Sequence, residues 1–142
     1  MSAQRPTVEP IMSGIVVGVD GSEGSLVALK WAVDEAALRN TTVTAVSAWE
    51  PSRKAGSVTR LPPHDDESIA RAALEDAIKP FVTGGRPLAH ELVEGQPTKV
   101  LTESSANGEL LVVGASEHGR RVGSVALHCV SHAPCTVVVV RA

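Results

Sequence analysis

The sequence predicts an α/β domain in which a parallel sheet is covered by helices on both faces. Short aliphatic runs alternate with segments of helical periodicity, and a glycine, proline or asparagine closes most of them. Only 2% of the residues are aromatic while 43% are hydrophobic, so the core must be built from aliphatic side chains. This alternation and composition are typical of parallel sheets with right-handed crossover helices.

The first part of the chain begins with a segment that has no periodicity. Residues 1–13 contain Pro6 and Pro10, and we expect them to form a flexible tail before one domain over 14–142. The elements predicted next are a strand over 15–19, a helix from a Ser22 cap to Asn40, and a strand over 43–49. A long loop over 52–64, a helix from Asp65 to Gly84 and a strand over 88–93 follow. The buried face of the helix that begins at Asp65 carries Ala70, Ala73, Leu74, Ala77, Ile78 and Phe81.

The second part of the chain continues the same alternation. The predicted elements are a helix from Pro97 to Asn107, a strand over 110–113 broken at Gly114, a helix with Val122, Val125, Ala126, Cys129, Val130 and Ala133 on one face, and a strand over 136–140. Pro134 ends the last helix, and the pattern is therefore β-α repeated four times and closed by a strand.

Composition also excludes several classes of protein. The formal net charge of −3 offers no broad basic surface, so we expect neither a nucleic-acid nor an anionic-lipid partner. No apolar run approaches the roughly 20 residues of a membrane helix, and we expect a cytoplasmic protein. Cys129 and Cys135 fit no zinc or redox spacing, which favours a reduced pair of core residues over a disulfide.

Two glycine turns follow predicted strands and are candidates for a binding site. They span 18–22 and 114–119. Ligands of open α/β sheets lie beyond the carboxyl ends of the strands, where backbone N–H groups and helix N-termini favour anions. If the first and fourth strands are neighbours, both turns face one crevice. Otherwise the turns only connect strand to helix.

The chain resembles the universal stress protein family. The resemblance lies in Val17-Gly18-Val19-Asp20-Gly21-Ser22, in Gly95-Gln96-Pro97, and in the stretch from Gly123-Ser124 through His132-Ala133-Pro134-Cys135 to Val140. It implies a five-stranded parallel sheet of order 3-2-1-4-5, of the Rossmann type found in adenine nucleotide alpha hydrolases. It also implies a homodimer paired through Thr136 to Arg141, and a regulatory, non-enzymatic role in the stress response. In one branch of the family, ATP or another adenine nucleotide binds, with or without Mg²⁺.

The resemblance assigns roles to particular residues. It implies that Gly18, Val19 and Asp20 line the adenosine and Mg²⁺ side, that Ala48 and Val113 touch adenine, and that Gly114, Gly123, Ser124 and Val125 hold phosphates, with Ala115 in the same turn. Asp20 has an alternative role as a turn or capping carboxylate.

The phosphate loop departs from the pattern of the ATP-binding members, which is G-x2-G-x9-G-[ST]. Gly123 follows Gly114 after nine residues instead of thirteen, and Glu117 stands where the second glycine belongs. The four absent residues correspond to roughly 13 to 14 Å of chain, and the Glu117 carboxylate would oppose a phosphate. Arg120 and Arg121 are either compensating phosphate ligands or surface charges. The alternative function is therefore a dimeric interaction protein of the same fold that binds no nucleotide.

The histidines do not suggest catalysis. His128 and His132 are four residues apart on the last predicted helix, as in a metal-binding pair, although helix-end charge or dimer packing explains them equally well. His118 has no nucleophile beside it in the sequence, so we expect no hydrolytic site.

Overall fold

The computed structural model describes residues 14–51, 63–82, 88–115 and 122–141. The elements in chain order are β1 (Ile15–Gly18), α1 (Glu23–Arg39), β2 (Val43–Trp49), α2 (Pro63–Val82), β3 (Leu88–Glu94), α3 (Pro97–Ser104), β4 (Leu110–Gly114), α4 (Ser124–His132) and β5 (Thr136–Val140). The five strands form one parallel sheet of order β3-β2-β1-β4-β5. The predicted strand order is therefore confirmed, and the predicted flexible tail and most of the long loop lie outside the described residues.

Local signals set the boundaries of α1 as predicted. The Ser22 hydroxyl accepts a hydrogen bond from the backbone N–H of Ser25 and caps the helix. Asn40 ends the helix in the left-handed conformation, with φ of 55°, and donates its backbone N–H to the last turn. Both strands that flank the helix are buried aliphatic segments.

Two predicted helix ends are displaced in the structure. Helix α2 starts at Pro63 rather than at Asp65, because proline suits the first turn of a helix and its missing N–H costs nothing there. Helix α3 ends at Ser104 rather than near Asn107. The hydroxyl of Ser105 donates to the carbonyl of Thr102 and satisfies one of the carbonyls left free at this end.

The sheet separates two aliphatic cores. Helices α1 and α2 pack on one face against alternating residues such as Ile15 and Val17, while α3 and α4 pack on the other against Val16 and Leu111. Both faces of the central strand β1 are buried, which explains its continuous apolar sequence.

Two residues expected on buried helical faces are exposed. Ala73 on α2 faces solvent, and Val130 on α4 is 56% exposed. The buried face of each helix is narrower than the sequence periodicity indicated, because each helix packs on one face of the sheet near an edge strand. Cys129 lies on the buried line of α4 and is a free thiol, as is the half-buried Cys135.

Candidate functional site

A cavity of about 420 Å³ opens at the carboxyl ends of the central strands. It exists because β1 and β4 are hydrogen-bonded neighbours, with Val17 opposite Val112, and their chains then leave the sheet toward opposite faces. The structure brings together on its walls all ten residues singled out in the sequence: Gly18, Val19, Asp20, Ala48, Val113, Gly114, Ala115, Gly123, Ser124 and Val125. Their roles toward a ligand stay predictions.

Asp20 and two serines form a closed hydrogen-bonded turn at the start of α1. The backbone N–H of Ser22 donates to Oδ1 of Asp20 at 2.9 Å, and the Ser25 hydroxyl accepts from the backbone N–H of Asp20 at 3.2 Å. The same Ser25 hydroxyl donates to the carbonyl of Ser22. Asp20 therefore acts as the turn carboxylate that the sequence analysis gave as its alternative role, and it does so through Oδ1.

The charge of Asp20 is held by this turn. Partial burial raises the pKa of the carboxyl group, but hydrogen bonds from Ser22 and Ser25 outweigh that effect and lower the pKa below its ordinary value of 3.8. Asp20 is therefore ionised at neutral pH, at the mouth of the cavity.

We expect Asp20→Asn to remove a pH-dependent part of the stability. A carboxyl group whose pKa is lowered on folding stabilises the protein above its ordinary pKa, and this stabilisation is lost as the pH falls through the folded value. The difference in unfolding free energy between the native protein and Asp20→Asn should stay constant from about pH 5 to 8 and shrink below 3.8. Urea unfolding at a series of pH values measures it. A difference that grows on acidification would contradict the assignment.

The N-terminus of α4 differs from that of α1 in having no side-chain cap. Gly123 occupies the cap position, its own N–H donates to the carbonyl of Ala115 at 2.7 Å, and its carbonyl accepts from the N–H of Leu127. The N–H groups of Ser124, Val125 and Ala126 find no acceptor among the described residues. These three donors and the exposed Ser124 hydroxyl border the cavity, and free donors at a helix N-terminus favour an anion.

The opposite wall is apolar and ends in an unpaired strand edge. Val46 accepts a hydrogen bond from the N–H of Val19, so its backbone faces β1, and by strand alternation the backbone of Ala48 faces the same side. Strand β1 has already ended at that level. The N–H and C=O of Ala48 therefore have no partner on this side among the described residues, and they present one donor and one acceptor beside the side chain of Leu101.

Gly114 allows the two ends of the cavity to approach each other. A Cβ atom added at this position would lie 2.6 Å from the carbonyl oxygen of Gly24 and 3.1 Å from the backbone nitrogen of Ser25. Only glycine lets the first turn of α1 pack directly on the end of β4. This close approach fixes the position of the Asp20 turn relative to the end of β4.

The structure adds lining residues that the sequence analysis did not select. They are Ser22, Gly24, Ser25, Val46, Pro97, Leu101 and Ala126. Ser22 carried a helix-capping signal, and Pro97 a helix-start signal, but neither signal indicates which way a side chain faces. The residues Glu117, His118, Arg120 and Arg121 lie outside the described residues.

Metal-binding and catalytic groups are sparse in the described ranges. No set of three or more His, Cys, Asp or Glu side chains there is arranged to hold a metal ion. His128 and His132 stack with ring centroids 4.1 Å apart, and Nδ1 of His132 contacts the carbonyl of His128 at 3.1 Å. Burial raises the pKa of the Cys129 thiol, and the neighbouring Cys135 adds to the effect, so Cys129 is a poor nucleophile.

Comparison with known proteins gives a consistent result. The model of the Universal stress protein family matches residues 12–141. "Universal stress protein Rv3134c" of Mycobacterium tuberculosis (strain ATCC 25618 / H37Rv) is 34% identical over 146 residues, which cover 99% of this chain and 51% of that protein. The chain thus spans about half the length of such curated relatives. No described helix is long and apolar enough to cross a membrane.

Solved structures share the fold. "Universal stress protein UspA from Lactobacillus plantarum" superposes with a TM-score of 0.75 at 24% identity and covers 94% of this chain and 100% of its own. A crystal structure of a universal stress protein in complex with cAMP superposes with a TM-score of 0.68 at 26% identity, covering 90% of this chain and 96% of its own. With the family model matched over nearly all of the described residues, the chain belongs to the universal stress protein family.

Proposed function

We propose that this protein binds an adenine nucleotide in the cavity and acts as a regulatory, non-catalytic module in a stress response. The observation that carries the proposal is the pairing, in one cavity, of an apolar wall with a helix N-terminus whose first N–H groups have no acceptor among the described residues. A relative at 26% identity is described in complex with cAMP. Family membership supports the link to stress.

The phosphate end of the proposed site is α4. The backbone N–H groups of Ser124, Val125 and Ala126 have no acceptor in the described part of the chain, and with one hydroxyl they match the oxygens of a phosphate group. The helix dipole favours its charge. The first turn of α1 suits a phosphate less well, because the Ser22 hydroxyl already accepts from the N–H of Ser25 and the adjacent Asp20 carboxylate would oppose an anion.

The base end of the proposed site is the wall at Ala48. An adenine ring presents a 6-amino donor next to a ring-nitrogen acceptor, which complements the C=O and N–H of one strand residue. Val46, Leu101 and Val113 supply apolar surface beside that edge, on the face of the sheet that α3 and α4 cover. Adenine would therefore extend the strand edge that β1 leaves open.

A regulatory role fits the side chains of the described wall better than catalysis does. Asp20 is the only ionisable side chain among the described residues of the cavity, and its lowered pKa makes it a weak general base for the serine hydroxyls beside it. Mg²⁺, if it accompanies the nucleotide, would bind Asp20 through Oδ2, because Oδ1 already accepts from Ser22. One carboxylate leaves the other ligands of the ion to phosphate and water.

The experiment is a nucleotide-binding measurement on the purified full chain. A ligand at a hundred times its dissociation constant adds about 2.7 kcal/mol to the free energy of unfolding, so the melting temperature should rise by several degrees with AMP, cAMP, ADP or ATP. Native mass spectrometry should detect nucleotide that copurifies. If none of the four nucleotides shifts the melting temperature and no nucleotide copurifies, the proposal is overturned in favour of an interaction protein that binds no nucleotide. If Glu117→Gly then restores nucleotide binding, the Glu117 carboxylate is what prevents it.

The same proposal includes a homodimer paired through β5. The N–H of Ala115 donates to the carbonyl of Val140, so by alternation the backbones of Val137 and Val139 face the free edge. The opposite edge, β3, exposes Glu91 and Glu94, charges of the kind that protect an edge from pairing, whereas β5 has no charged side chain.

A further inference from the structure

We infer that Cys129 and Cys135 form a redox-sensitive switch, in which a hydroperoxide converts the two thiols of one chain into a disulfide that shifts α4. Both cysteines are free thiols in the structure. The formation of the disulfide is independent of the proposed nucleotide site, whereas its effect on binding rests on that site.

The two thiols point into the same layer of the protein. Cys129 is fully buried on α4 and faces the sheet. Cys135 immediately precedes β5 and packs on the same cluster as Val137 and Val139, the alternate residues of that strand. Its side chain therefore points to the face of the sheet that α4 covers. The charge of a Cys135 thiolate contributes to the raised pKa of Cys129, as expected for two neighbouring thiols.

The connection between the two cysteines is short and adjustable. The N–H of Ala133 donates to the carbonyl of Cys129 at 2.8 Å where the helix ends, and only Pro134 separates Ala133 from Cys135. The residues of α4 that follow Cys129 are all exposed: Val130, Ser131 and His132. Cys129 is therefore the buried anchor of this turn. A disulfide requires Cα atoms about 4.4 to 6.8 Å apart, and a helix end with one anchor can adopt that separation at little cost.

The difference in exposure assigns the two chemical steps. Cys135 is half-buried and accessible to a small oxidant, whereas Cys129 is 0% exposed. The Cys135 thiolate attacks one oxygen of the hydroperoxide, the O–O bond breaks, and the other oxygen leaves as water or an alcohol with the Cys135 proton. The Cys129 sulphur then attacks the resulting sulfenic acid, the S–S bond forms, and the sulfenic oxygen leaves as water with the Cys129 proton. The two thiols lose two electrons, which the hydroperoxide gains.

Cys129 is suited to the second step only. Its raised pKa makes it a weak nucleophile toward a dilute oxidant in solution. A sulfenic acid formed in the same cluster is an intramolecular target, and proximity compensates for weak nucleophilicity.

The disulfide acts on the helix that borders the cavity. Cys129 lies five residues from Ser124, which is less than two helical turns. A shift of Cys129 toward Cys135 therefore also displaces the N–H groups at the start of α4. Losing one hydrogen bond to a charged phosphate weakens binding at least about tenfold, so we expect the oxidised protein to bind AMP at least about tenfold more weakly than the reduced protein.

The test is oxidation of the purified full chain with hydrogen peroxide, followed by mass spectrometry without reductant. The mass should fall by two hydrogen atoms, and a peptide map should link Cys129 to Cys135 within one chain. Thiol titration in denaturant should count two thiols before oxidation and none after it, and dithiothreitol should reverse the change. Titration calorimetry with AMP on both forms measures the effect on binding.

Two variants separate the roles of the thiols. In Cys135→Ser, hydrogen peroxide should change neither the mass nor the affinity for AMP, because the remaining thiol is buried. In Cys129→Ala the sulfenic acid of Cys135 has no second thiol to react with, so dimedone should label Cys135. Circular dichroism and melting check the fold, and if Cys129→Ala does not fold, Cys129→Ser, which keeps the volume of the side chain, replaces it.

The remaining outcomes contradict the inference or the proposed function separately. The inference is wrong if the native chain keeps both thiols, if the disulfide joins two chains, or if Cys135 becomes a sulfinic acid while Cys129 stays a thiol. It is also wrong as a switch if the disulfide forms and both forms bind AMP equally. If the reduced protein binds no nucleotide, the proposed function and the effect on binding both fail, while the mass measurement decides the disulfide.

Discussion

We expect Gly114→Ala to destabilise the protein by about 3 kcal/mol or more. The added methyl group would lie 2.6 Å from the carbonyl oxygen and 2.7 Å from the carbonyl carbon of Gly24, and both atoms belong to backbone that cannot rotate away. Overpacking a well-packed interior costs roughly 1 to 3 kcal/mol even where side chains adjust, and a backbone clash leaves less freedom. The first turn of α1 must therefore move away from β4, which also displaces the Asp20 turn.

The matched control for this variant is Gly18→Ala. At Gly18 the added methyl group would lie 2.9 Å from Cδ1 and 3.1 Å from Cδ2 of Leu101. These atoms end a flexible side chain, so we expect a cost of about 1 kcal/mol or less. Urea unfolding of both variants measures the difference. Equal costs would show that the contact between α1 and β4 relaxes, and that Gly114 does not set the position of the Asp20 turn.

The second large effect is expected on binding, from Ser124→Pro. Proline is favoured at the first position of a helix, and the preceding Gly123 has φ of −70° and ψ of 169°, a conformation that proline permits in the residue before it. The variant should therefore keep α4 folded while it removes the Ser124 N–H and hydroxyl. A hydrogen bond to a charged group contributes about 1.5 to 3 kcal/mol, so the affinity for the nucleotide should fall about tenfold to a hundredfold or more.

Ser124→Ala is the control, because it removes the hydroxyl and keeps the backbone N–H. It should lose less affinity than Ser124→Pro in titration calorimetry with AMP. If both variants bind as tightly as the native protein, the phosphate does not lie at the N-terminus of α4. If the two lose the same affinity, the hydroxyl and not the backbone is the important donor.

Sequence periodicity was sufficient to predict the elements, whereas the crevice also required the strand order. Strand β2 and strand β5 have the predicted bounds, and the Ser22 cap and Asn40 end of α1 are as predicted, because capping residues and apolar runs are local features of the sequence. The strand order came from the resemblance to a family, and pairing of Val17 with Val112 confirms that β1 and β4 are adjacent.

What the sequence by itself determined is the series of strands and helices, the turns that end them, and the residues able to line a crevice at the strand ends. Only the tertiary structure decided which helical residues are exposed, as Val130 and Ala73 show. It also decided that the Asp20 carboxylate is hydrogen-bonded within its own turn, whereas three N–H groups at the start of α4 have no acceptor among the residues described. The physical reason is that periodicity predicts which side of a helix is apolar on average. The exposure of a single residue and the pairing of its hydrogen-bonding groups depend on residues distant in sequence, such as Gly24, which packs against Gly114.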